Sequence, residues 1–92
     1  MKITVTGTST TLPDLLGTSF GTLRNVKSAK IARVSIQNTS AADIYIENWE
    51  DATVDWSYKL WQDREVEMNI NDLSRLYFIT AWASLDARII AT

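Results

Sequence analysis

The residues with the most chemistry to offer lie in one stretch, Asn48 to Trp61, "NWEDATVDWSYKLW". It interleaves three tryptophans and a tyrosine with Asn48, Glu50, Asp51 and Asp55. Three chemistries use such a set. Paired carboxylates can act as general acid and base in glycoside hydrolysis, but they need a fixed separation across a cleft, which a chain of this size can hardly build. Clustered acids can hold calcium, yet "EDATVD" does not follow the EF-hand loop, with its glycine and distant glutamate. Flat amphipathic rings among polar groups can stack on a sugar or anchor a protein interface, and the same physics serves both. The candidate partner-binding set is therefore Trp49, Glu50, Asp51, Asp55, Trp56, Tyr58 and Trp61. No catalytic residue, metal site or cofactor is expected.

The rest of the composition narrows the field. The 92 residues include no histidine and no cysteine, the side chains that most often move protons or acyl groups. Gly7, Gly17 and Gly21 are not spaced as a phosphate loop. A net charge of -2 and a pI near 4.9 leave no basic footprint for nucleic acid. No apolar run approaches the roughly 18 residues of a membrane span. The opening "MKITVTGTST" lacks the apolar stretch of a secretory signal, so synthesis in the cytoplasm is expected. A domain this small buries only about 60 to 65% of the surface of its unfolded chain. Without disulfides, self-association is the natural additional source of stability.

The elements that must position the aromatic stretch read as strands. All three glycines and the single proline, Pro13, fall in a Thr- and Ser-rich opening. That opening predicts one strand, Lys2 to Thr6, then an irregular arm through residue 25, with the sandwich proper in 26–92. In "KIARVSIQN", Ala32, Val34 and Ile36 alternate with Arg33, Ser35 and Gln37. "DIYIEN" sets Ile44 and Ile46 against Tyr45 and Glu47, and "EVEMNI" sets Val66, Met68 and Ile70 against Glu65, Glu67 and Asn69. "TSAA", between Asn38 and Asp43, suits a hairpin-type connection. The tail "NDLSRLYFITAWASLDARIIA" can be read as a capped helix. Its aromatic and β-branched density favours two strands, Arg75 to Trp82 and Leu85 to Ala91, joined by a turn at Ala83 and Ser84. Trp82, inside the apolar run, is expected in the core. The fold class is all-β, a small antiparallel sandwich with jelly-roll-like connectivity and an irregular N-terminal arm, a small barrel being the alternative.

From about Ala29 to Ile90 the chain resembles the small β-sandwich virion proteins of tailed bacteriophages, the group that includes head decoration or cement-like subunits. The likeness rests on "ARVSIQNTSAADIYIEN", on "REVEMNI", and on the closing "NDLSRLYFITAWASLDARII". Such proteins often carry a Gly after the second of these strands and a Pro-Gly turn before the alternating one. Here those places lie in "WEDATVDWSYKLWQDRE". The resemblance implies a noncatalytic virion protein on the capsid surface, associating with itself, a trimer being one form, and with the major capsid protein. It also makes the Trp-rich segment a subunit or capsid contact. A carbohydrate-binding module using the tryptophans, with glycan as partner, and a minor tail or connector subunit are the alternatives.

Overall fold

A computed structural model describes residues 2–20, 32–70, 73–82 and 84–91 of the chain. The boundary expected between residues 25 and 26, and residue 83 of the expected last turn, lie outside them. The described residues form eight strands: β1 Lys2–Thr6, β2 Thr10–Thr11, β3 Ala32–Asn38, β4 Ile44–Asn48, β5 Tyr58–Leu60, β6 Glu65–Ile70, β7 Leu76–Thr80 and β8 Ser84–Ala91. They make two four-stranded antiparallel sheets, in the orders β1-β8-β3-β6 and β2-β7-β4-β5. Each sheet alternates strands from the two halves of the chain, which is the jelly-roll arrangement of two interlocked Greek keys.

Period-two alternation builds the core. Ile3 and Val5 of β1, Val34 and Ile36 of β3, Ile44 and Ile46 of β4, Leu60 of β5, Leu76 and Phe78 of β7, and Ala87 and Ile89 of β8 are buried between the sheets. The residues that alternate with them along each strand face outward. On the first sheet that outer face is mainly polar and charged, carrying Lys2, Thr4, Arg33, Gln37, Glu65, Glu67, Asn69 and Arg88, all exposed, together with the exposed apolar Ile90 of β8. On the second it carries Tyr45, Tyr77 and Ile79, each only half-buried.

The opening segment is less irregular than its composition suggests. "TLPDLLG" makes a one-turn helix, α1 Leu12–Leu16. The Thr11 hydroxyl accepts from the Asp14 N–H at 3.4 Å, and Pro13 occupies the first turn, where its missing N–H costs nothing. Gly17 ends the helix at φ 58, a conformation that favours a residue without Cβ. Leu12 is fully buried. Residues 2–16 thus contribute to the same core as the rest.

Two connections differ from the expected ones. "NTSAAD" is not a hairpin, because β3 and β4 belong to different sheets. The segment is an arch, and a buried side chain sets its path. Asn38, 0% exposed, donates from Nδ2 to the carbonyls of Ala42 (2.7 Å) and Leu60 (3.0 Å), while its Oδ1 accepts from the Ser40 N–H (2.9 Å). The Ser40 hydroxyl then ties the arch to the Asp86 main chain of β8. β7 and β8 likewise lie in different sheets.

Candidate functional site

All seven residues of the Trp-rich set are exposed, but the fold divides them. Trp49 follows β4 directly. Its N–H donates to the Arg75 carbonyl (2.8 Å), and the Arg75 guanidinium lies 5.6 Å from the ring centroid. From there residues 49–57 fold back over the outer face of the second sheet. The Ala52 N–H donates to Ser9 Oγ at 2.9 Å, in front of β2 on the far side of that sheet. Ala52 is buried, yet outside the core between the sheets. The Ser57 hydroxyl accepts from the Thr53 N–H (2.9 Å) and donates to Glu47 Oε1 (3.1 Å), on the outer face of β4. The segment is thus a strap across the face on which Tyr45, Tyr77 and Ile79 are half-buried. Glu50, Asp51, Asp55 and Trp56 project from it into solvent, Trp56 at 73% exposure. Ser57→Ala removes the two bonds made by the Ser57 hydroxyl and is expected to cost about 1–2 kcal/mol locally. Hydrogen exchange of the Thr53 amide should accelerate, with the core strands unchanged.

β5 follows, a strand absent from the sequence reading. It is three residues long and forms one edge of the second sheet. Its register sets Leu60 opposite Ile44, which is also opposite Thr80 of β7. Leu60, Ile44 and Thr80 therefore share one row, and Trp61 and Trp82 lie just beyond it at the same end of the sandwich. Two interstrand spacings, roughly 10 Å, separate their strands. Trp49 and Trp56 lie at the other end, roughly 20 Å along the strand direction at about 3.4 Å per residue. The four tryptophans are therefore two pairs at opposite ends.

Trp82 corrects the expectation of a core residue, being 63% exposed. Alternation from Leu76, Phe78 and Thr80 would send it inward. The ladder stops instead at Thr80, whose Oγ1 accepts the Trp82 N–H (3.2 Å) and donates to the Asp43 carbonyl (3.1 Å). That local bond turns the chain out of the strand. Lys59 completes this end. Its ammonium lies 4.2 Å from the Trp61 ring centroid and 3.5 Å from Asp43 Oδ2. Tyr58, Lys59, Leu60, Trp61, Gln62, Arg64 and Glu65 line an open groove of about 550 Å3 beside the pair.

Trp49 (φ 77) and Asp63 (φ 58) are the non-glycine residues with positive φ among those described. Trp49 stands just after the second strand of the arch. Asp63 stands in the turn before the alternating strand, where the Arg64 N–H donates to the Trp61 carbonyl (3.1 Å). The Asn38 carbonyl accepts from the Asp63 N–H, and the Asn38 N–H donates to the Arg64 carbonyl, so two residues of one strand oppose one of the other. This is a β-bulge with its first residue in the left-handed region, where glycine is preferred. Asp63→Gly is expected to stabilise the fold by about 1 kcal/mol, the order of the left-handed penalty of a residue with Cβ. In a domain this small that raises Tm by roughly 4–8 °C, measurable by thermal unfolding.

Among the described residues no group of three or more Asp or Glu side chains is placed to hold a metal ion. The geometry defines a class: a small jelly-roll sandwich that presents large aromatic side chains at both ends. Compared with protein-family models, curated proteins and solved structures, the chain matches none.

Proposed function

We propose that this chain is a noncatalytic structural subunit of a virion, a head decoration or cement protein that binds the capsid shell as a homo-oligomer. The observation that carries the reading is the exposure of Trp49, Trp56, Tyr58, Trp61 and Trp82, each more than half exposed. Rings of this size are the usual anchors of protein interfaces, and leaving five of them in water is unfavourable unless a partner covers them. A shell subunit suits such a surface, because symmetry repeats each modest contact and an oligomer engages several at once. The phage-protein resemblance lies in the strand pattern; the chain departs from that group where it often carries glycine, after the second strand and in the turn before the alternating strand, holding Trp49 and Asp63 at positive φ there.

The test is the composition of the particle. Density-gradient-purified virions of the phage that encodes the chain should contain it in many copies per shell, attached to the major capsid protein. Its absence from them overturns the reading. The open groove beside Trp61 and Tyr58, with Gln62, Arg64 and Glu65 along it, favours a second reading, carbohydrate binding. A glycan array with a saturable hit, abolished by Trp61→Ala, would select that one.

A further inference from the structure

Among the described residues the first sheet ends in two edges that pair with no further strand, β1 on one side and β6 on the other. Edge strands of five and six residues are long enough to template another chain. The flank at β6 is open in a second respect. β5, the edge of the facing sheet, is only three residues long, and inward-pointing Val66 and Met68 remain half-buried.

We propose that copies of this chain join head to tail by strand addition, β1 of one copy entering the first sheet of the next as a fifth strand beside β6. The proposal rests on the self-association reading above and names its junction. Main-chain parity allows it. The Asn38 N–H donates to the Arg64 carbonyl, so the even-numbered residues of β3 turn their main-chain groups toward β6. Alternation then leaves the N–H and C=O groups of Glu65, Glu67 and Asn69 pointing to the free edge. Carried across β8, the same alternation leaves those of Lys2, Thr4 and Thr6 pointing to the free edge of β1. Strand direction allows it too. β1 and β3 run the same way and β6 the other, so a neighbour rotated about an axis along the strands presents β1 antiparallel to β6.

Charge favours this junction over a pairing of β6 with β6. Joining β6 to β6 about Glu67 would set Glu67 against Glu67, a repulsive pair. The β1 edge instead offers Lys2, with Thr4 and Thr6 as neutral partners. The register that pairs all five residues of β1 sets Thr4 opposite Glu67, Thr6 opposite Glu65, and Lys2 opposite Asn69, diagonal to Glu67. Ile3 and Val5 then fall beside Met68 and Val66, on the inward side. Such a contact is heterologous, and it closes into a ring when the rotation between copies is a whole fraction of a turn.

The chain has no cysteine, so introduced ones report the junction directly. Thr4 and Glu67 face each other across it at about 5.5 Å between Cα atoms, a separation a disulfide spans. Within one chain they lie on opposite edges of the sheet, at least about 14 Å apart. Thr4→Cys mixed with Glu67→Cys under mild oxidation should give a heterodimer, and the double variant a ladder of crosslinked species. Lys2→Glu alone or Glu67→Lys alone should weaken association severalfold, and the two together in one chain should restore it. All these positions are exposed or at a strand edge, and circular dichroism checks that each variant is folded. A wild-type oligomer with no Thr4–Glu67 crosslink, or Glu67→Cys homodimers, would overturn the junction while leaving self-association standing. A wild-type monomer at all concentrations would overturn both.

Discussion

Asn38→Ala will lower the stability of the domain by about 3 kcal/mol, from the loss of three hydrogen bonds and the exposure of two carbonyls to an unpartnered interior. The side chain is fully buried and holds the carbonyls of Ala42 and Leu60 and the N–H of Ser40. Its main chain also closes the bulge at Asp63 and Arg64. One residue therefore fixes the arch from sheet to sheet, the end of β5 and the start of β6. Total stability for a chain of this length is on the order of 5–14 kcal/mol, so the loss is a large fraction of it. Thermal unfolding should show Tm lowered by roughly 12–24 °C. Asn38→Asp should be worse, since a carboxylate would present only acceptors to two carbonyl oxygens and bury a charge. A shift below about 4 °C for the alanine variant, at most about one kcal/mol on that scale, would mean that the arch is held by something else.

The second large effect concerns association. Trp61 and Trp82 are 58% and 63% exposed, so truncating either removes little that the isolated fold needs. Trp61→Ala and Trp82→Ala should each leave Tm within a few degrees of wild type. If these rings anchor the contact, each should weaken binding by at least about 2 kcal/mol, roughly 30-fold, the scale of an aromatic hot spot. Sedimentation of the protein with particles stripped of it reads the loss. Core residues would give the reverse pattern, about 3–5 kcal/mol of lost stability for each tryptophan. Lys59→Ala separates the ring from its cation. It should affect binding less than Trp61→Ala, because an exposed cation–π contact is worth about 0.5–1 kcal/mol.

Much of the fold was legible because a sandwich strand shows its two faces in the sequence. Val34 and Ile36, Ile44 and Ile46, and Val66, Met68 and Ile70 alternate with outward residues, and each alternation corresponds to a strand, while β7 was legible from the aromatic and β-branched density of its segment. β5 was not legible, because Tyr-Lys-Leu is too short to display a period. Its existence depends on pairing with Tyr45 and its neighbours. The arch at "NTSAAD" looked like a hairpin because small polar residues serve either connection; the choice is made by an Asn side chain reaching Leu60, 22 residues away. For the candidate site, exposure of Trp49, Trp56 and Trp61 followed from the acids among them. Their separation into two ends did not, since it depends on the register of β5. Trp82 was misplaced because its position in an apolar run was read as burial, whereas a side-chain hydrogen bond at Thr80 ends the strand and turns the chain outward.

The central claim is that this sandwich works as a self-associating shell subunit, and native mass spectrometry of the wild-type protein over a dilution series tests it most directly. A single closed oligomer that persists on dilution, and whose population falls in Lys2→Glu, is the predicted result. A strict monomer at every concentration would contradict it.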